Sequence, residues 1–152
     1  SDIIVVAIGE KPYTEGVGDR DSLFLSKENK ELLEKVKRAK IPYIVILISG
    51  RPMIINEELN DSHAFIAAWL PGTEGAGISD VLFGDFDFSG KLSMTWPKSM
   101  KQIPINFGDN DFNIPLDLDF DGLNKFRTNL GVRVNLALLA IQLNLLKNYL
   151  SN

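Results

Sequence analysis

The sequence predicts an α/β fold, a three-layer sandwich around a mostly parallel sheet with an added C-terminal helix, on three observations. Short, nearly continuous apolar runs rich in β-branched residues occur at residues 3–8, 43–48 and 64–69, and runs without polar alternation suit parallel strands covered on both faces. An amphipathic stretch lies between the first two runs, so residues 3–48 form one βαβ unit with a parallel strand pair. A loop marked by Gly or Pro follows each run, and open parallel sheets bind ligands outside the carboxyl ends of their strands.

The first run begins directly after Ser1-Asp2, with no Met, basic n-region or cleavage site, which excludes a signal peptide over these residues. A strand buried on both faces needs neighbours on both sides, so this reading expects further sequence upstream. A polar, Gly-rich loop leads to a helix from Lys27 to about Lys40. Ser26 is its expected N-cap, Glu28 lies in its first turn, and Lys37, Arg38 and Lys40 crowd its last, matching the helix dipole. Leu32, Leu33 and Val36 form the buried stripe, and Glu31 with Lys35 and Glu34 with Arg38 are i,i+4 pairs. Pro42 ends the helix before the second strand. After the third strand, Pro71-Gly72-Thr73 turns the chain into a short helix through Ile78, Val81 and Leu82, stopped by Gly84.

Beyond Asp85 the texture changes. Residues 90–97 are at best a short edge strand closed by Pro97. Residues 106–121 form an acidic loop without Lys or Arg. From Gly131 onward, Val132, Leu136, Leu139, Leu143, Leu146 and Leu150 recur at alternating steps of four and three, a helical pattern. Its uncharged centre, residues 134–146, contains Asn135, Gln142 and Asn144 and is too short and polar to span a bilayer. The domain boundaries expected are 1–123 for the sandwich and 124–152 for a divergent helical extension, whose apolar face either covers exposed core or joins a second copy as a homo-oligomer.

Composition narrows the function. The 152 residues are one domain's worth of chain, 45% hydrophobic and 24% charged, so a packed core is within reach. A formal net charge of −4 offers no electrostatic footprint for nucleic acid. There are no cysteines, which removes disulfides, zinc-thiolate sites and thiol nucleophiles.

The most distinctive text is in the three loops: Gly9-Glu10-Lys11-Pro12-Tyr13-Thr14-Glu15-Gly16-Val17-Gly18-Asp19-Arg20, then Ser49-Gly50-Arg51-Pro52, then Pro71-Gly72-Thr73-Glu74-Gly75. Together with Ala67-Ala68-Trp69-Leu70, Asp80-Val81-Leu82-Phe83-Gly84-Asp85 and Ser89-Gly90-Lys91-Leu92, this ordered series closely resembles the C-terminal α/β sandwich domain of family 3 glycoside hydrolases, which include β-glucosidases and β-glucan exohydrolases. The resemblance runs from about Ile3 to Asp109. It implies a flavodoxin-like sandwich, here incomplete and truncated at its N-terminal side. It also implies a retaining β-glucosidase activity on terminal β-linked glucose of oligosaccharides, with no cofactor and no metal. The second Glu of the first motif is the general acid/base in the β-glucan exohydrolase branch, which places that role on Glu15. The nucleophile is an Asp on a separate (β/α)8 barrel, a partner domain absent from this sequence. Arg20 and Arg51 are candidate substrate-binding residues. The family's frequent secretion favours an extracellular or periplasmic setting, although no residue here fixes the compartment.

The residues themselves allow parallel readings. Glu15 lies on a Gly-flanked loop at the ligand edge, where Glu10 and Asp19 would favour its protonated form, or it is simply a solvated loop acid. Arg51 contacts sugar hydroxyls or pins loops together. Glu74 suits a dipole partner at a helix start. His63, the single histidine, precedes the third strand and therefore sits at the edge opposite the site. Trp69 and Trp96 could be sugar platforms, with Trp69 better placed as core. Asp117, Asp119, Asp121 and Gly122 mimic an EF-hand start, but the twelfth position is Thr128 and not the required Glu. Gly16-Val17-Gly18 lacks the third Gly of a dinucleotide fingerprint. Where relatives carry aromatics and Pro, residues 115–123 read Pro-Leu-Asp-Leu-Asp-Phe-Asp-Gly-Leu. The rival to the enzyme reading is a noncatalytic remnant, or a carbohydrate- or protein-interaction module that packs against another chain.

Overall fold

The computed structural model describes residues 2–86, 95–106, 108 and 109. Three strands, β1 (Ile4–Gly9), β2 (Tyr43–Ile48) and β3 (Ala64–Trp69), form one sheet in the order β1-β2-β3. Both pairs are parallel. The parallel α/β architecture expected from the three apolar runs is therefore present. Register places Val6 beside Val45 and Phe65, and Ile8 beside Leu47 and Ala67. These two rows point to one face and form the main core with Leu33, Val36, Met53, Ile55 and Trp96. On the opposite face Ile44, Ile46, Ile66 and Ala68 are also buried, which is why β2 and β3 read as unbroken hydrophobic text.

β1 departs from that pattern. Val6 and Ile8 are buried, but Val5 is 44% exposed and Ala7 is exposed as well. β1 is an edge strand among the described residues, so only its inward row is covered. A β-branched run marks a strand, but its neighbours determine whether both faces are covered.

α1 (Lys27–Arg38) begins at the expected cap, with Ser26 Oγ accepting from the Asn29 backbone N–H at 3.2 Å. Glu28, in its first turn, is held below the usual carboxylate range by a backbone hydrogen bond and then by the Ser26 hydroxyl. The charges of α1 pair differently from expectation. Lys27 meets Glu31 at 3.7 Å, while Lys30 and Lys37 reach out to Glu58 at 3.8 Å and Asp61 at 2.5 Å. The reason is a helix the sequence reading missed, α2 (Asn56–Asp61), which carries both acids. α2 spans six residues and buries none of them, so it shows no apolar periodicity.

α3 (Gly75–Phe83) ends as anticipated at Gly84, which has φ 100° and donates its N–H to the Asp80 carbonyl. Glu74 precedes α3 without making a side-chain cap. Most of the expected edge strand at 90–97, the acidic loop and the C-terminal helix at 131–150 lie outside the described residues. No described helix is long and apolar enough to cross a membrane.

Candidate functional site

Parallel pairing brings the carboxyl ends of all three strands to one edge of the sheet, and the three distinctive loops gather there. Gly9 ends β1 so close to β2 that a Cβ at this position would collide with the Ile48 carbonyl. That carbonyl accepts the Glu10 N–H at 3.1 Å. The first loop then returns beside the segment after β2, where Phe24 bridges Ile54 and the Ile54 N–H donates to the Leu23 carbonyl at 2.8 Å. Asn29, at the start of α1, donates from Nδ2 to the Gly9 carbonyl at 2.7 Å. The base of the loop is thus fastened on both sides.

The acids of this loop occupy contrasting environments. The Glu10 side chain is only 5% exposed, and two guanidiniums converge on it. Arg20 Nη1 donates to Oε1 at 2.8 Å, and Arg51 Nε approaches Oε2 at 3.3 Å. The Tyr13 hydroxyl adds a 3.1 Å bond to the same Oε2. Glu10 is therefore a neutralised structural carboxylate, and the expectation that it acts as a neighbouring negative charge on Glu15 gives way to this pairing. Asp19 is exposed.

Glu15 opens a short 3-10 turn, Glu15–Gly18, with φ 46°. Its side chain is exposed and makes no hydrogen bond or ion pair among the described residues. A non-glycine residue in the left-handed region costs of order 1 kcal/mol and persists only where its surroundings impose it. The carboxylate is thus projected outward while the backbone beneath it is constrained.

Arg20 and Arg51, the candidate substrate-binding residues, both face Glu10. Arg20 also donates to the Phe24 carbonyl at 3.3 Å. Arg51 holds two loops together, because Nη2 donates to the Gly18 carbonyl at 2.7 Å, Nε reaches the Tyr13 hydroxyl at 3.1 Å, and its guanidinium carbon lies 4.4 Å from the Tyr13 ring centroid. Partial burial opposes its charge, but the Tyr13 hydroxyl and the Glu10 carboxylate outweigh that cost and raise its pKa above the ordinary value. Tyr13 belongs to the first motif, yet the residues alone assigned it no role; its contact with Arg51 spans 38 residues of chain, so spacing could not reveal it.

The tryptophans are structural. Trp96 is 8% exposed, its indole N–H donates to the Met53 carbonyl at 2.6 Å, and its ring lies 6.0 Å from that of Trp69. Trp69 is partly buried against the core. His63 sits at the opposite end of the sheet, where Nδ1 accepts the Tyr43 N–H at 3.4 Å and the two rings meet edge to face at 5.8 Å.

A family model, the glycosyl hydrolase family 3 C-terminal domain, matches residues 1–133. The chain is 32% identical over 109 residues to the periplasmic beta-glucosidase of Salmonella typhimurium, covering 70% of this chain and 14% of that protein. It is 36% identical over 109 residues to a beta-xylosidase of Formosa agariphila, covering 70% of this chain and 15% of that protein. Among solved structures, an exo-1,3/1,4-beta-glucanase from a Pseudoalteromonas species superposes with a TM-score of 0.68 at 44% identity, covering 76% of this chain and 16% of that one. The chain thus spans about one-seventh of the length of the curated relatives it matches.

Proposed function

The chain belongs to the C-terminal domain family of the family 3 glycosyl hydrolases, and from that premise we propose that it supplies the general acid/base, Glu15, to a retaining β-glucosidase whose nucleophile comes from a (β/α)8 barrel domain. The observation that carries this reading is the contrast between the two glutamates of one loop. Glu10 is buried under two guanidiniums, whereas Glu15 projects from the ligand edge of the sheet with no partner among the described residues.

Glu15 protonates the glycosidic oxygen as the bond to the aglycone breaks, and its carboxylate then takes a proton from the water that attacks the glycosyl-enzyme intermediate. Retention requires a second carboxylate about 5 Å away, across the sugar from the acid. The barrel is the source of that carboxylate in this reading: Glu10 is committed to Arg20 and Arg51, and Asp80 and Asp85 lie at α3 and just beyond it. The substrate class is a terminal β-glucoside.

The test measures aryl β-glucoside hydrolysis by the chain alone, by the chain supplied with a family 3 barrel domain, and by that pair carrying Glu15→Gln. The chain alone is expected to match background. The barrel restores turnover, and Glu15→Gln removes a factor of about 10² to 10⁴ of it, the usual contribution of a general acid. Robust hydrolysis by the chain alone, or full activity in Glu15→Gln, overturns the assignment. Failure of every barrel pairing to give turnover favours the noncatalytic reading.

A further inference from the structure

We infer that Arg51 is the positioning residue for Glu15: its guanidinium clamps the first loop on both sides of the acid and fixes the direction in which the carboxylate projects. This deepens the acid/base reading and rests on it. The geometry is specific. Arg51 contacts Glu10 and Tyr13 before Glu15, and the Gly18 carbonyl after it. A single planar group thus ties down both ends of the segment that carries Glu15, from the loop after β2, 41 residues beyond Glu10.

The fork of the guanidinium suits this task. Nε and Nη2 point along fixed, divergent directions, so one charge reaches a carboxylate, a hydroxyl and a backbone carbonyl together. Tyr13 completes the clamp by lying in a slot with two glycine walls. A Cβ on Gly18 would strike the Tyr13 ring, and a Cβ on Gly50 would lie 2.7 Å from its hydroxyl. The ring is thereby held under Arg51, with the hydroxyl shared between Arg51 and Glu10. Arg20 anchors the far oxygen of Glu10. Glu15 itself makes none of these contacts, which leaves its carboxylate available while its backbone is held at φ 46°. A group that acts on chemistry through geometry alone can still matter greatly, since a displacement of about 1 Å can cost roughly a hundredfold in rate.

Two measurements test the inference. Hydrogen exchange on the full 152-residue chain compares wild type with Arg51→Gln, Arg51→Lys and Gly50→Ala, the last displacing Tyr13 while retaining every charge. Exchange across residues 10–20 is expected to accelerate by about tenfold in all three, with β2 unchanged, as for a locally opened segment. Arg51→Lys fails to restore protection because an ammonium cannot span the three partners.

The second measurement uses the chain paired with the barrel domain and compares aryl glucosides of graded leaving-group acidity. Arg51→Gln and Gly50→Ala are expected to lower kcat/KM, which reports the step in which the aglycone departs, about a hundredfold for poor leaving groups, in line with the cost of misplacing a catalytic group. The kcat/KM loss vanishes for a dinitrophenyl leaving group, which needs no protonation, while kcat and KM for that substrate fall together because base-assisted hydrolysis of the glycosyl-enzyme is slowed. Unchanged exchange, or a kcat/KM loss equal across all leaving groups, overturns the positioning role. If Glu15→Gln itself shows no leaving-group dependence, the acid/base reading fails and the positioning role falls with it, whereas faster exchange alone would still identify a structural clamp.

Discussion

Asn29 Nδ2 donates a 2.7 Å hydrogen bond to the carbonyl of Gly9, so the first turn of α1 holds the last residue of β1. The same asparagine gives its backbone N–H to the Ser26 cap. One residue therefore joins helix start, strand end and loop base. Asn29→Ala removes the side-chain bond and leaves the cap intact. It is expected to lower stability by about 1 kcal/mol, the usual net value of such a bond, seen as a lower urea midpoint with an unchanged m-value. A midpoint equal to wild type would show that the bond contributes nothing in solution.

The two glutamates of the loop should separate in stability as sharply as in structure. Glu10→Gln deprives two guanidiniums and a tyrosine hydroxyl of their shared carboxylate and is expected to cost about 1–3 kcal/mol, the range for charge-assisted hydrogen bonds. Glu15→Gln alters an exposed side chain without partners among the described residues and should stay within about 0.5 kcal/mol of wild type. Denaturant titration of both variants checks this. Equal losses would contradict the division of labour between the two acids.

His63 makes the fold sensitive to mild acid. Burial holds its imidazole below the ordinary histidine pKa, so the folded state favours the neutral ring. The unfolded chain binds a proton near pH 6.5, the unperturbed value. The resulting stability is fully present above that pH and is lost as pH falls through it toward the lower folded pKa. Between about pH 7.5 and pH 5, wild type should therefore lose more stability than His63→Phe, which retains an aromatic contact for Tyr43 and cannot protonate. Parallel slopes for the two proteins would exclude His63 as the source.

The strands and α1 were legible because each has a local signature: β-branched runs for the strands, and a serine cap with an apolar stripe for α1. α2 has neither, and it appears only through the acids it offers to Lys30 and Lys37. The exposure of Val5 depends on which strands flank β1, and no property of its own run encodes that. At the site, the motif drew attention to Glu10 and Glu15 together. The sequence could not tell which of them Arg20 and Arg51 would neutralise, because Arg20 meets Glu10 through the fold of the loop, 10 residues on, and Arg51, 41 residues on, is brought in by parallel pairing. The 3-10 turn at Glu15–Gly18 was hidden for a related reason: its glycines read as a flexible loop, and the clamp that shapes it is assembled from distant residues.

The tight seat of Gly9 against the Ile48 carbonyl has a genetic consequence. A missense codon there would insert a methyl group or more between β1 and β2 at the root of the loop, forcing apart backbones that real side chains cannot share. Such an allele would lose function while every carboxylate, guanidinium and tyrosine of the site was still translated. In a saturation screen, codon 9 should therefore score with the chemistry-bearing positions although it contributes no chemistry, and suppressors should map to β2 in preference to the loop.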